Sequence, residues 1–169
     1  MGSITLITGG ARSGKSSYAQ RLALERSDRP VYLATSRVWD EEHRLRIERH
    51  RADRGPQWET GEEPKNLSRR DFRGRTVVLD CVTLWCTNFF YDFDSDVDRA
   101  LDAVKSEFDR LAAQDADFIF VTNEIGLGGV STDPLQRRFT DLQGWVNQYI
   151  AQRAGSVVLM VSGIPIKVK

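Results

Sequence analysis

The octapeptide Gly9-Gly10-Ala11-Arg12-Ser13-Gly14-Lys15-Ser16 fits the pattern G-x-x-x-x-G-K-[ST], in which each fixed residue type has a task at a polyphosphate. Gly9 and Gly14 let the backbone curl around an anion, Lys15 reaches the outer phosphates, and the Ser16 hydroxyl is a ligand for Mg²⁺. A phosphate loop establishes a nucleotide and leaves the reaction open, so the next candidates are carboxylates. Asp80 ends the apolar run Thr76-Val77-Val78-Leu79, where it can hold Mg²⁺ directly or through water. Glu124 follows the run Phe118–Thr122 and Asn123, at the sheet edge where open α/β folds place ligands; catalytic and structural roles suit it equally. Asn123-Glu124-Ile125-Gly126 is not the N-K-x-D pattern that reads guanine, which disfavours a switch GTPase. Gly126-Leu127-Gly128-Gly129 reads as a mobile loop rather than a second phosphate cradle.

A second kind of chemistry sits in the segment from Asp40 to Arg54. It is charged on nearly every side, with Leu45, Ile47 and Ala52 almost its only apolar residues, so as a helix it cannot enter a core. Both histidines of the chain, His43 and His50, lie on it seven residues apart. That spacing puts them on one helical face about 10 Å apart along the axis, too far to share a metal. His50 stands among Arg46, Arg49, Arg51 and Arg54, cations that disfavour imidazolium and attract phosphates. A neutral imidazole beside an anchored triphosphate is a competent nucleophile at phosphorus. The alternative is a solvated charged helix with an incidental histidine.

These residues need a scaffold, and the alternation of short apolar runs with longer polar segments predicts one: β-strands joined by helical crossovers into a mainly parallel sheet. Strands are expected at Ser3–Thr8, Pro30–Ala34, Thr76–Asp80, Phe118–Thr122 and Ser156–Ser162, with Ile164–Val168 as a short C-terminal edge strand. Helices are expected at Lys15–Arg26, Asp40–Ala52, Asp96–Ala113 and Pro134–Ala154. Ser95 with Asp98 resembles a capping box, Asp133-Pro134 an N-cap with proline at the first helical position, and Gly155 a stop. Asp53–Arg75 is the longest stretch without periodicity. The expected fold is a P-loop NTPase (RecA-like) three-layer α/β/α arrangement, with residues 1–169 as one nucleotide-binding catalytic domain.

Composition narrows the partners. The 24 basic and 24 acidic residues cancel, so no global field draws the chain to nucleic acid or an anionic membrane. Cys81 and Cys86 suit buried reduced thiols rather than a disulfide framework or a metal site. The first apolar stretch runs straight into the phosphate loop and no run approaches spanning length, so neither a cleavable signal nor a membrane span is expected, and the expected compartment is the cytoplasm.

The loop, Ala34-Thr35-Ser36, Arg46–His50, Trp58–Glu62, Asp80–Thr83, Val121–Gly126 and Val161–Lys167 together resemble one family from end to end and in family order. It is the bifunctional adenosylcobinamide kinase/adenosylcobinamide-phosphate guanylyltransferase of cobalamin biosynthesis. The resemblance implies that His50 is guanylylated, although Arg49 stands where some members carry a second histidine. It implies that Gly9–Ser16 hold the triphosphate and that Ala34, Thr35, Ser36, Arg51, Ala52, Asp53, Arg54, Glu62 and Thr83 surround the rest of the guanine nucleotide. It further implies ATP or GTP as donors, a corrinoid acceptor and a homo-oligomer in the form of a trimer. A P-loop small-molecule kinase without guanylyl transfer and a nucleotide-dependent regulatory module are the alternatives.

Overall fold

A computed structural model describes residues 2–169. One seven-stranded sheet carries the helices, in the strand order β3-β2-β4-β5-β1-β6-β7. Its strands are β1 (Ser3–Gly9), β2 (Val31–Ala34), β3 (Glu59–Glu62), β4 (Thr76–Asp80), β5 (Asp117–Val121), β6 (Ser156–Val161) and β7 (Ile164–Lys167). All neighbouring pairs are parallel except β6–β7, which pair antiparallel at the edge. The helices are α1 (Lys15–Arg26), α2 (Glu41–Ala52), α3 (Val82–Asp92), α4 (Val97–Ala112) and α5 (Pro134–Arg153).

Period-two alternation sorts the strand residues between two cores. Leu6, Val77, Leu79, Phe118 and Phe120 face a core shared with α3, α4 and α5, while Ile7, Val78, Ile119 and Val121 face one shared with Ala19 and Ala23 of α1. The parallel direction brings the C-terminal ends of β1, β2, β4 and β5 together on one rim. All the candidate site residues emerge from that rim or from the segments that follow it.

The structure differs from the expected elements at four places. The helix α3 was not expected, because Val82–Asp92 is apolar on almost every side and offers no amphipathic period; Val82, Trp85, Cys86, Asn88, Phe89 and Phe90 are all buried. Asp53–Arg75 is not loop throughout: it contains β3 and a 3-10 turn at Leu67–Arg69. The cap of α4 is Asp96, not Ser95, since Asp94 and Ser95 take left-handed φ of 52° and 63° and Asp96 Oδ1 accepts from Arg99 N at 3.0 Å. The last helix stops at extended Ala154 before Gly155, whose N–H goes to the Ile4 carbonyl at 2.9 Å. Asp133 does cap α5, accepting from Leu135 N at 2.9 Å, with Pro134 at the first helical position.

Candidate active site

The phosphate loop closes β1 onto the start of α1, and its glycines are needed for two different reasons. A Cβ on Gly9 would lie 2.7 Å from both the Met160 carbonyl oxygen and Ser13 Oγ, so only a bare backbone fits there. Gly14 caps α1 at φ 93°, a conformation that side chains resist. Arg12 is left-handed too, at φ 52°, a backbone conformation of the kind that anion nests use. From behind, the β6–β7 turn braces the loop, Gly163 N donating to the Ser13 carbonyl at 2.9 Å. This gives a physical role to the C-terminal Val161–Lys167 segment. Lys15 is buried, its ammonium donates to the Gly10 carbonyl, and burial lowers its pKa against the attraction of Asp80.

Asp80, at the end of β4, organises the metal side of the site. Its Oδ2 accepts from Ser16 Oγ at 2.6 Å and from the Tyr32 hydroxyl at 2.7 Å. The Tyr32 phenol is held protonated, its pKa pushed up first by burial and then by the Asp80 charge. A serine hydroxyl and a carboxylate held this close form a hard-oxygen donor set that fits Mg²⁺. Among the described residues no group of three or more His, Cys, Asp or Glu is placed to hold a metal ion.

Helix α2 forms the opposite wall. Its cap is in place, Asp40 Oδ1 accepting from His43 N at 2.7 Å, and none of its residues is buried. One face, His43, Ile47 and His50, looks onto a cavity of about 460 Å³, and Arg54, just beyond the helix, lines it too. Ser16, Tyr32, Ala34, Ser36, Glu62 and Asp80 line the same cavity. The helix is tied down by polar contacts at both ends. Ser36 Oγ and His43 Nε2 are hydrogen-bonded at 2.9 Å, and the Arg54 guanidinium lies 3.7 Å from the centre of the Tyr32 ring. Arg54 is buried with its Nε unpartnered, and desolvation lowers its pKa. A buried, unpaired guanidinium beside a phosphate loop is a ready acceptor of anionic charge.

Comparison with known proteins decides the family. The model of the cobinamide kinase / cobinamide phosphate guanyltransferase family matches residues 5–168. The chain belongs to this family. It is 40% identical to the bifunctional adenosylcobalamin biosynthesis protein CobU of Escherichia coli strain K12, over 97% of this chain and 98% of that protein. It is also 40% identical to the bifunctional adenosylcobalamin biosynthesis protein CobP of Pseudomonas aeruginosa, covering 97% of this chain and 96% of that one. Among solved structures, the flagellar accessory protein FlaH from Methanocaldococcus jannaschii overlays with a TM-score of 0.50 at 14% identity, covering 99% of this chain and 78% of that one. That likeness shows the P-loop NTPase-like fold.

The expected site residues of this cobinamide kinase family member divide into three groups. Lys15, Ser16, Ala34, Ser36, His50, Asp53, Arg54, Glu62 and Asp80 lie at the phosphate loop or line the adjoining cavity. Thr35 and Thr83 make hydrogen bonds within the scaffold. Buried Thr35 donates to the Cys81 carbonyl at 2.7 Å and accepts from Cys81 N at 2.9 Å, and Thr83 Oγ1 accepts from Asn123 N at 3.0 Å. Arg51 and Ala52 are exposed and do not line the cavity. Glu124 takes a structural part, its carboxylate accepting from Gly126 N at 2.7 Å and Leu127 N at 3.1 Å. Cys81 and Cys86 are free and buried, and burial pushes the Cys81 thiol up to about 12. Tyr32 and the Ser36–His43 contact were missed. Alternation along β2 could have placed Tyr32 on the face of Ala34, whereas the shared face of His43 and His50 was legible from their spacing and only the partner of His43, Ser36, was not.

Proposed function

We propose that this chain carries out both reactions named in its family: phosphorylation of adenosylcobinamide by a nucleoside triphosphate, ATP or GTP, then transfer of GMP from GTP to adenosylcobinamide phosphate. The observation that carries the reading is that one face of α2 brings His50 into the cavity that Ser16 and Asp80 line. The phosphate loop fixes the triphosphate, and Lys15 meets its outer charges. Mg²⁺, held by Ser16 and Asp80, supplies further charge neutralisation when bound. In the kinase step the corrinoid hydroxyl attacks the γ-phosphorus, with positioning supplying most of the acceleration. In the second step a ring nitrogen of His50 attacks the α-phosphorus and pyrophosphate leaves. The corrinoid phosphate then attacks the same phosphorus and regenerates the imidazole, dividing one difficult transfer between two easier ones.

The Arg54 guanidinium, short of partners in its pocket, supports the guanine nucleotide from the far end of α2. Residues 1–169 act in this reading as one catalytic domain, assembled into a homo-oligomer, with the corrinoid as its only large ligand. No helix among the described residues is long and apolar enough to cross a membrane. Incubation with GTP labelled in its α-phosphate tests the proposal. Wild-type protein should retain acid-labile label, His50→Ala should lose it while keeping kinase activity, and Lys15→Ala should lose both. Full guanylyl transfer by His50→Ala would sink the assignment of the nucleophile.

A further inference from the structure

Helix α2 does more than carry His50. A second cavity, of about 490 Å³, is lined by residues 12–17 of the phosphate loop and by a single side chain from elsewhere, Arg46. Arg46 lies one turn before His50, so the two share one side of α2. The other charges of the helix do not claim it. Arg44 pairs with Glu41 and Glu48, whereas Arg46 makes no ion pair among the described residues. An unpaired guanidinium that closes the open side of a phosphate cradle is placed to meet the phosphates themselves.

Building on the two-step reading above, we infer that Arg46 is a further catalytic residue, neutralising charge on the β-phosphate in both transfers. The chemistry explains why one residue can serve both. In the kinase step the acceptor oxygen bonds to the γ-phosphorus, the bond to the β–γ bridging oxygen breaks, and its electron pair stays on the β-phosphate. The hydroxyl proton passes to water. In the guanylyl step the imidazole nitrogen bonds to the α-phosphorus, the bond to the α–β bridging oxygen breaks, and that electron pair also stays on the β-phosphate. The ring proton passes to water. The leaving charge therefore develops on the same phosphate twice, and the phosphate loop holds that phosphate over the cavity that Arg46 closes. A planar guanidinium can bond two phosphate oxygens at once, which an ammonium cannot do in the same fork.

The test uses the full chain with Arg46→Ala and Arg46→Lys, measuring kinase turnover and single-turnover formation of the GMP-labelled protein. Arg46 is exposed, so both variants should keep the wild-type circular dichroism and melting temperature. Arg46→Ala should lower kcat for the kinase and the rate of labelling by about 100-fold each, with KM for the nucleotide changed by less than about threefold. Arg46→Lys should recover part of the loss in both. Rates within about threefold of wild type, a loss confined to one transfer, or a change wholly in KM would each overturn the role. Wild-type protein that takes no label would overturn the histidine chemistry instead, and the kinase comparison alone would then decide Arg46.

Discussion

Tyr32→Phe isolates one atom of the metal side. The variant keeps the ring, and with it the edge-on contact to Trp58 at 6.1 Å and the stacking under Arg54 at 3.7 Å. Only the hydroxyl that donates to Asp80 Oδ2 at 2.7 Å is removed. A hydrogen bond to a charged group contributes about 1.5–3 kcal/mol. Because Ser16 still donates to the same oxygen at 2.6 Å, the low end applies, about 1.5 kcal/mol. For a chain of this size that lowers the melting temperature by roughly 3–6 °C. The loss should be the same across neutral and mildly alkaline pH, since burial and the Asp80 charge hold the phenol protonated well above that range. A supporting group behind a metal ligand also sets affinity, so the Mg²⁺ concentration for half-maximal kinase activity should rise roughly tenfold. Thermal melts without nucleotide and a Mg²⁺ titration of turnover read the two effects. A melt shifted by less than about 1 °C together with an unchanged Mg²⁺ dependence would refute the claim that Tyr32 orders Asp80.

Two further substitutions probe Arg54, just beyond α2, and Asp92, at the end of α3. Arg54→Met fills the same space without the charge, so the lost contact with Tyr32 and the relieved desolvation should offset each other. Nucleotide-free stability should change by less than about 1 kcal/mol, while the rise in melting temperature caused by GTP falls to under half of the wild-type rise. Asp92 joins Arg37 at 2.7 Å and Lys65 at 2.6 Å, and these hydrogen bonds hold its carboxyl below the usual range. A depressed carboxyl stabilises the fold above its unfolded value near about 4, and that contribution disappears as pH falls through the lower folded value. Urea unfolding should therefore show a flatter acid dependence below about pH 4 for Asp92→Asn than for wild type, and equal slopes would remove Asp92 from the account.

How much of this was legible depended on whether function or packing dictated the residues. The phosphate loop could be read outright, because each of its positions serves a backbone or ligand requirement that few residue types satisfy. The order of β1, α1, β4, β5, α4, α5 and β6 followed from apolar periodicity and from caps such as Asp133. Helix α3 was hidden by its apolar composition, since the face it leaves part-exposed carries Thr83, Leu84, Thr87 and Tyr91, too little polarity to mark a period. Strand β3, Glu-Thr-Gly-Glu, has no apolar residue at all and exists through its parallel pairing with β2. Within the site, His50 could be singled out as an unusual residue on an unusual helix. The hydrogen bonds from Tyr32 to Asp80 and between Ser36 and His43 join segments whose approach only the folded sheet creates.

The central claim is that His50 carries GMP between GTP and the corrinoid. It is tested most directly by incubating the protein with GTP alone, mapping the adduct by peptide mass spectrometry, and chasing it with adenosylcobinamide phosphate. One GMP is expected on the peptide containing His50, discharged quantitatively to adenosylcobinamide-GDP at a rate no slower than steady-state turnover. GMP found on another residue, His43 included, or product formed from GTP with no adduct ever populated would contradict it.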